Sequence, residues 1–170
     1  MGEGDDRIQT NAQGGKPPPL PRVVVSFDPG GTTGYALIRI GRTRNHAPKI
    51  LKAGTFRTRK FLKNFLTGIA ERNGNRFELL GIIVEDFKLY PKMAKHLFWD
   101  RAIAPRWIGA IEQSVYEHQL PGSCLQMPHE RGSMLRHPLV KAVRNKHARD
   151  AVAHALHWLV KQGYWNGRMD

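Results

Sequence analysis

The sequence predicts an α/β domain built on a mixed sheet, and three observations carry that prediction. Two apolar runs, 23–27 broken only by Ser26 and 79–84 interrupted only by Gly81, are each followed by an acidic residue and have the length and composition of strands buried on both faces. Two further strand-like segments follow the first run at hairpin range. Helical periodicities at 61–69 and 148–159 supply amphipathic helices to cover the sheet.

The elements follow in chain order. Val23 to Phe27 is apolar but for Ser26 and closes in Asp28-Pro29-Gly30-Gly31, a strand and then a tight turn. Tyr35 to Ile40 and Ile50 to Phe56, with Gly41 and polar residues between them, read as antiparallel strands. Phe61, Leu62, Phe65, Leu66 and Ile69 repeat as one face of a helix that Asn73-Gly74 would stop. Leu79 to Val84, interrupted only by Gly81, is a second buried strand neighbouring the first and ending in Glu85-Asp86. A helical stretch from about Lys92 to Gln119, with a break at Pro105, leads to a short strand from Ser123 to Met127. A last helix from Lys146 to Gln162 buries Ala148, Val152, Ala155, Leu156 and Leu159. No internal repeat is visible.

The chain has 170 residues, 41% hydrophobic and 24% charged, which suits one domain with a core of its own. Residues 1–21, with Gly14-Gly15 and Pro17 to Pro19 and almost nothing to bury, read as a disordered leader, and 22–170 as a single domain. Charge is the outlier. Lys and Arg number 27 against 14 Asp and Glu, a formal +13 that favours a polyanionic partner, nucleic acid first and an anionic membrane second. The single cysteine, Cys124, excludes an intramolecular disulfide framework and a cysteine-rich zinc module. No apolar run approaches the ~18 residues of a membrane span and no signal-peptide layout opens the chain, so the expectation is a soluble, non-secreted protein that does not act in a membrane.

Ligands of open α/β sheets bind beyond the carboxyl ends of the strands, where Asp28 and Glu85 would converge if their strands are neighbours. Two carboxylates held together repel unless one is protonated or a cation lies between them. A divalent ion meets that need. Mg²⁺ and Mn²⁺ prefer carboxylate oxygens, and two such ions about 4 Å apart stabilise the attacking and leaving oxygens of phosphodiester hydrolysis. On the last helix His147 and Asp150 stand at i and i+3 and project from one face, which His154 extends by a turn. Each of these residues has a plainer reading, as an Asx cap at Asp28, a surface ion pair at Asp150 or a structural histidine at His147; their conjunction favours a site.

Three segments, Val24 to Ala36 with its Asp28-Pro29-Gly30-Gly31-Thr32-Thr33-Gly34 core, Ile83-Val84-Glu85-Asp86-Phe87, and His147-Ala148-Arg149-Asp150-Ala151-Val152-Ala153, together resemble the RuvC-type Holliday-junction resolvases of the ribonuclease H-like superfamily, including its phage-type members. The resemblance covers roughly Val23 to Leu159 and rests on the order of the three segments. It implies a ribonuclease H-like fold, a five-stranded mixed sheet in the order 3-2-1-4-5 with its first three strands antiparallel and helices on both faces. It further implies that Asp28, Glu85 and Asp150 hold two Mg²⁺ ions, with Mn²⁺ as a substitute, and that His147 is a metal ligand or a partner of the attacking water. The implied activity is a crossover junction endodeoxyribonuclease, a homodimer that nicks opposed strands of a four-way DNA junction, working in DNA recombination and repair in the cytoplasm of a bacterial or phage-infected cell.

The sequence departs from that pattern in two places. Pro128-His129-Glu130-Arg131-Gly132 is a shortened form of the family's basic, glycine-rich loop after the fifth strand, with Arg131 as its basic residue for DNA. Phe87 and Tyr90, with Lys88 between them, stand out of register for the aromatic that stacks on an unpaired base; packing is the plainer reading of both rings, and contact of all three residues with DNA is the functional expectation. Lys141, Arg144, Lys146 and Arg149 flank the last acidic site as phosphate contacts, and Arg39, Arg42, Arg44, Lys49, Lys52, Arg57, Arg59, Lys60 and Lys63 crowd the early strands and first helix. The rival readings are a relaxed flap or fork endonuclease, a non-catalytic nucleic-acid-binding module, and zinc chemistry through His147, Asp150 and His154. The Asp28–Gly34 run also looks like the first phosphate loop of sugar kinases and actin-like ATPases, folds that need two such domains and a longer chain.

Overall fold

A computed structural model describes residues 18–86 and 103–168. Strands β1 (Arg22–Asp28), β2 (Thr33–Arg39) and β3 (Lys49–Phe56) precede helix α1 (Arg59–Ala70) and strand β4 (Glu78–Glu85). Helix α2 (Ile103–Glu117), strand β5 (Ser123–Gln126), a 3₁₀ turn at Glu130–Met134, the short helix α3 (Pro138–Lys141) and helix α4 (Lys146–Lys161) complete the described chain. The five strands form one sheet in the order β3-β2-β1-β4-β5. Pairing is antiparallel between β1 and β2 and between β2 and β3, and parallel between β1 and β4 and between β4 and β5. This is the ribonuclease H-like sheet that the sequence resemblance implied.

Alternation along the central strands divides the core in two. Val23, Val25 and Phe27 of β1, with Leu79, Ile82 and Val84 of β4, pack against Leu62, Leu66 and Ile69 of α1 and Trp107 and Ile111 of α2. Val24, Ala36, Ile38 and Ile83 face the other way, onto Ala151, Val152, Ala155, Leu156 and Leu159 of α4. Helices therefore cover both faces. Gly81 lies where β1 and β4 slip register, and a Cβ there would stand 3.3 Å from the Trp158 ring, so the small residue lets α4 lie close to the sheet.

The predicted elements differ from the observed ones mainly at their ends. Pro105 sits within α2 and does not divide two helices among the described residues; 92–102 lie outside them. Helix α4 buries Asp150, Ala153, His154 and Trp158 beyond the predicted stripe, because β1 to β4 lie under one side of it and the 3₁₀ turn packs on another. The 3₁₀ turn and α3 fall where no periodicity marks them. Of the expected leader, 1–17 lie outside the described residues and 18–21 are largely exposed. Among the described residues no helix is long and apolar enough to cross a membrane.

Candidate active site

The parallel β1–β4 pair brings the two acidic strand ends together. Register runs Phe27 against Val84, so Asp28 and Glu85 follow side by side at the carboxyl edge of the sheet. Their carboxyls share a hydrogen bond. Burial, that hydrogen bond and the charges of Glu85 and Asp150 push the Asp28 carboxyl up to about 8, against the opposing pull of Arg131. Burial also pushes Glu85 up, but hydrogen bonds from His154 and Asp28 and the charges of His154 and Arg131 outweigh it and hold Glu85 well below the usual carboxylate range. Opposed shifts of this kind mark two carboxyls that share a proton between them.

Helix α4 delivers the next two residues. Asn145 caps it, its Oδ1 accepting from Ala148 N at 3.2 Å. Ser26, the polar interruption of the first apolar run, donates from Oγ to Ala151 O at 2.7 Å and ties the helix to β1. Gly34 pairs with Asp28 across β1 and β2, and a Cβ on it would lie 2.0 Å from His147 O. Only glycine admits the helix backbone so near the sheet. The result is His147 Nδ1 at 2.9 Å from Asp28 Oδ2, with the His147 side chain 41% exposed, and Asp150 buried one turn on.

Glu85 has its own ring of partners. Arg131, on the 3₁₀ turn after β5, donates from Nη1 to Glu85 Oε1 at 2.7 Å and to Pro128 O at 3.1 Å, and its Nη2 lies 3.5 Å from Asp150 Oδ2. His154, fully buried, sets Nε2 3.1 Å from Glu85 Oε2 and Nδ1 2.8 Å from Gln126 Oε1. An ionised carboxylate only accepts, so His154 donates to it from Nε2. Nδ1 then donates to Gln126 Oε1 if the ring is protonated; a neutral ring instead needs the Gln126 amide turned, so that Nε2, buried and unpartnered, becomes the donor.

The structure therefore gathers Asp28, Glu85, His147 and Asp150 at one sheet edge. The two histidines serve different carboxylates. Arg131, expected at the DNA, turns inward onto Glu85 and Asp150 with its side chain only 20% exposed. With the side chains so arranged, no three His, Cys, Asp or Glu groups among the described residues converge on a point that would hold an ion. The donor chemistry nevertheless suits a hard cation: three carboxylates, two of them in contact with a guanidinium and the third pushed toward its protonated form by burial and by its acidic neighbours.

Lys141, Arg144 and Lys146 are exposed and Arg149 half-buried, all within six residues of His147. Phe87, Lys88 and Tyr90 lie outside the described residues. The antiparallel pairs split the remaining basic residues. Thr33 opposite Phe56 marks the site end of the sheet, where Arg57 donates from Nε to Thr32 Oγ1 at 3.2 Å, whereas Arg39 opposite Lys49 marks the far end, about 20 Å away along β2. Sequence reasoning treated these as one surface. It also missed Ser26, Gly34 and Gln126 as parts of the site, and only the oddity of a polar residue in an apolar run could have flagged the first.

The chain is similar in structure to RuvC of Thermus thermophilus. One solved structure of that protein matches over 84% of this chain and 97% of its own, with a TM-score of 0.58 and 19% identity. A second, of the same protein in complex with Holliday junction substrate, matches over the same shares with a TM-score of 0.56 and 18% identity. No protein-family model matches the sequence, and no curated protein matches it. The likeness is one of fold: the chain has a RuvC-type α/β fold.

Proposed function

We propose that this protein is a metal-dependent, structure-selective endodeoxyribonuclease that resolves four-way DNA junctions by paired nicks, acting as a homodimer. The observation that carries the reading is the meeting of Asp28, Glu85, His147 and Asp150 at the carboxyl edge of a RuvC-type sheet. The solved RuvC bound to Holliday junction substrate supports branched DNA as the partner. A two-fold symmetric junction calls for a two-fold symmetric enzyme.

Asp28, Glu85 and Asp150 would hold Mg²⁺ or Mn²⁺, which when bound stabilises the attacking and leaving oxygens of a phosphodiester. The chain's own residues do the rest. In the tautomer whose Nδ1 donates to Asp28, His147 Nε2 has a free lone pair, suited to take a proton from an attacking water. His154 and Arg131 fix the orientation of Glu85. Lys141, Arg144 and Lys146, exposed beside the site, supply phosphate contacts whose strength falls with salt.

A relaxed nuclease that also cuts flaps and forks is the second reading, favoured by the inward turn of Arg131, which removes a basic residue from the DNA side. Labelled four-way junction, fork, flap and linear duplex, each incubated with and without Mg²⁺, separate these readings. Junction-only cutting supports the resolvase, cutting of all branched forms the relaxed enzyme, and binding without cutting a non-catalytic module. Asp28→Asn, Glu85→Gln and Asp150→Asn should each lower cutting at least ~10²-fold, about 3 kcal/mol in the barrier, while junction binding persists. Wild-type cutting by any of the three rejects that residue's role.

A further inference from the structure

The Arg131 guanidinium lies between two carboxylates of the cluster, Nη1 on Glu85 and Nη2 toward Asp150. Its own hydrogen bonding is incomplete, since Nε is buried without a partner. The turn that carries it is held independently of the side chain: Glu130 Oε2 accepts from Met127 N at 2.7 Å and Oε1 from Lys161 Nζ at 2.9 Å. The guanidinium can therefore leave the carboxylates while its backbone stays in place. Acids packed together repel unless one is protonated or a cation lies between them, and between Glu85 and Asp150 the positive charge comes from the chain itself.

We infer that Arg131 is an internal counterion that keeps the carboxylate cluster assembled in the metal-free protein and competes with a divalent ion for the oxygens of Glu85 and Asp150. This rests on the metal-dependent reading above. It differs from two simpler roles, a permanent strut for Glu85 and a contact to DNA, in the sign of its effect on metal affinity. A strut, once removed, lets Glu85 stray and weakens metal binding. A DNA contact leaves metal binding unchanged. A competing counterion, once removed, frees two ligands and tightens it.

The test is calorimetric titration of the full chain with Mn²⁺, without DNA, for the wild type, Arg131→Gln and Arg131→Lys, with thermal melts in chelator and in Mn²⁺. We expect Arg131→Gln to bind Mn²⁺ roughly tenfold tighter than the wild type, ~1.4 kcal/mol. It should melt lower than the wild type in chelator and close the gap in Mn²⁺. Arg131→Lys, whose single ammonium cannot span both carboxylates, should fall between them and gives the same sign should glutamine prevent folding. Equal or weaker Mn²⁺ binding by the variants, with the wild type binding normally, overturns the counterion role and leaves the nuclease reading intact. No Mn²⁺ binding by the wild type or either variant overturns the metal-dependent reading and the inference with it.

Discussion

Replacing Gly34 by alanine tests whether the packing of α4 on the sheet sets the geometry of the site. The added Cβ would stand 2.0 Å from His147 O, 2.3 Å from His147 C and 2.9 Å from Ala148 N. All three atoms are backbone, so no rotamer change relieves the contact. Ordinary van der Waals separation requires the start of α4 to retreat by about 1.5 Å. His147 and Asp150 ride on that helix, and the 2.9 Å contact to Asp28 and the 2.7 Å hydrogen bond from Ser26 to Ala151 would lengthen with it. A misplacement of ~1 Å at a reacting centre costs on the order of 10²-fold in rate. Forcing an extra methyl into a packed contact costs about 1–3 kcal/mol of stability. The assay is single-turnover cutting of a labelled junction by Gly34→Ala, with junction affinity and Tm measured on the same sample. Cutting should fall about a hundredfold with affinity retained and the fold intact at the assay temperature. Wild-type cutting with an unchanged Tm would refute the idea that this close approach positions the site.

Three further outcomes follow from the same geometry. Burial and its acidic neighbours push the Asp28 carboxyl up to about 8, and a metal must displace the proton it shares with Glu85, so Mn²⁺ affinity should rise with pH by up to about tenfold per unit below that value; equal dissociation constants at pH 6.5 and 8.5 would contradict this. His154→Ala removes the buried partner of Glu85 and Gln126 and leaves a cavity, at a cost of about 2–4 kcal/mol, so the denaturation midpoint should drop; an unchanged midpoint would mean the pair adds nothing to the fold. Arg57→Ala, at the site end of the sheet, should weaken junction binding and flatten its salt dependence more than Arg42→Ala, beyond the far end; equal effects would place DNA across both ends.

Much of the site was legible because its signals are local. Asp28 and Glu85 stand out as acids closing apolar runs, and the i, i+3 spacing puts His147 and Asp150 on one helix face whatever that helix packs against. The inward turn of Arg131 was not legible. A basic residue in a short loop after a strand reads equally as a DNA contact, and its direction depends on Glu85 and Asp150 lying within reach. Gln126 was opaque for the same reason, since a glutamine on a four-residue strand declares nothing until β4 and β5 pair and place it against α4; His154 was marked by its helix face, but its partners Glu85 and Gln126 were not.

By itself, then, the amino-acid order determined the strands, the longer helices apart from the break expected at Pro105, the basic excess and the acids at the ends of buried runs, because periodicity and charge are properties of neighbouring residues. Only the tertiary structure decided which carboxylate each histidine meets, that Gly34 admits the helix, that Arg131 faces the acids, and which basic residues share an end with them. Those choices depend on strand register and on close packing between segments up to 125 positions apart, where a shift of one residue would turn each side chain to the opposite face of the sheet.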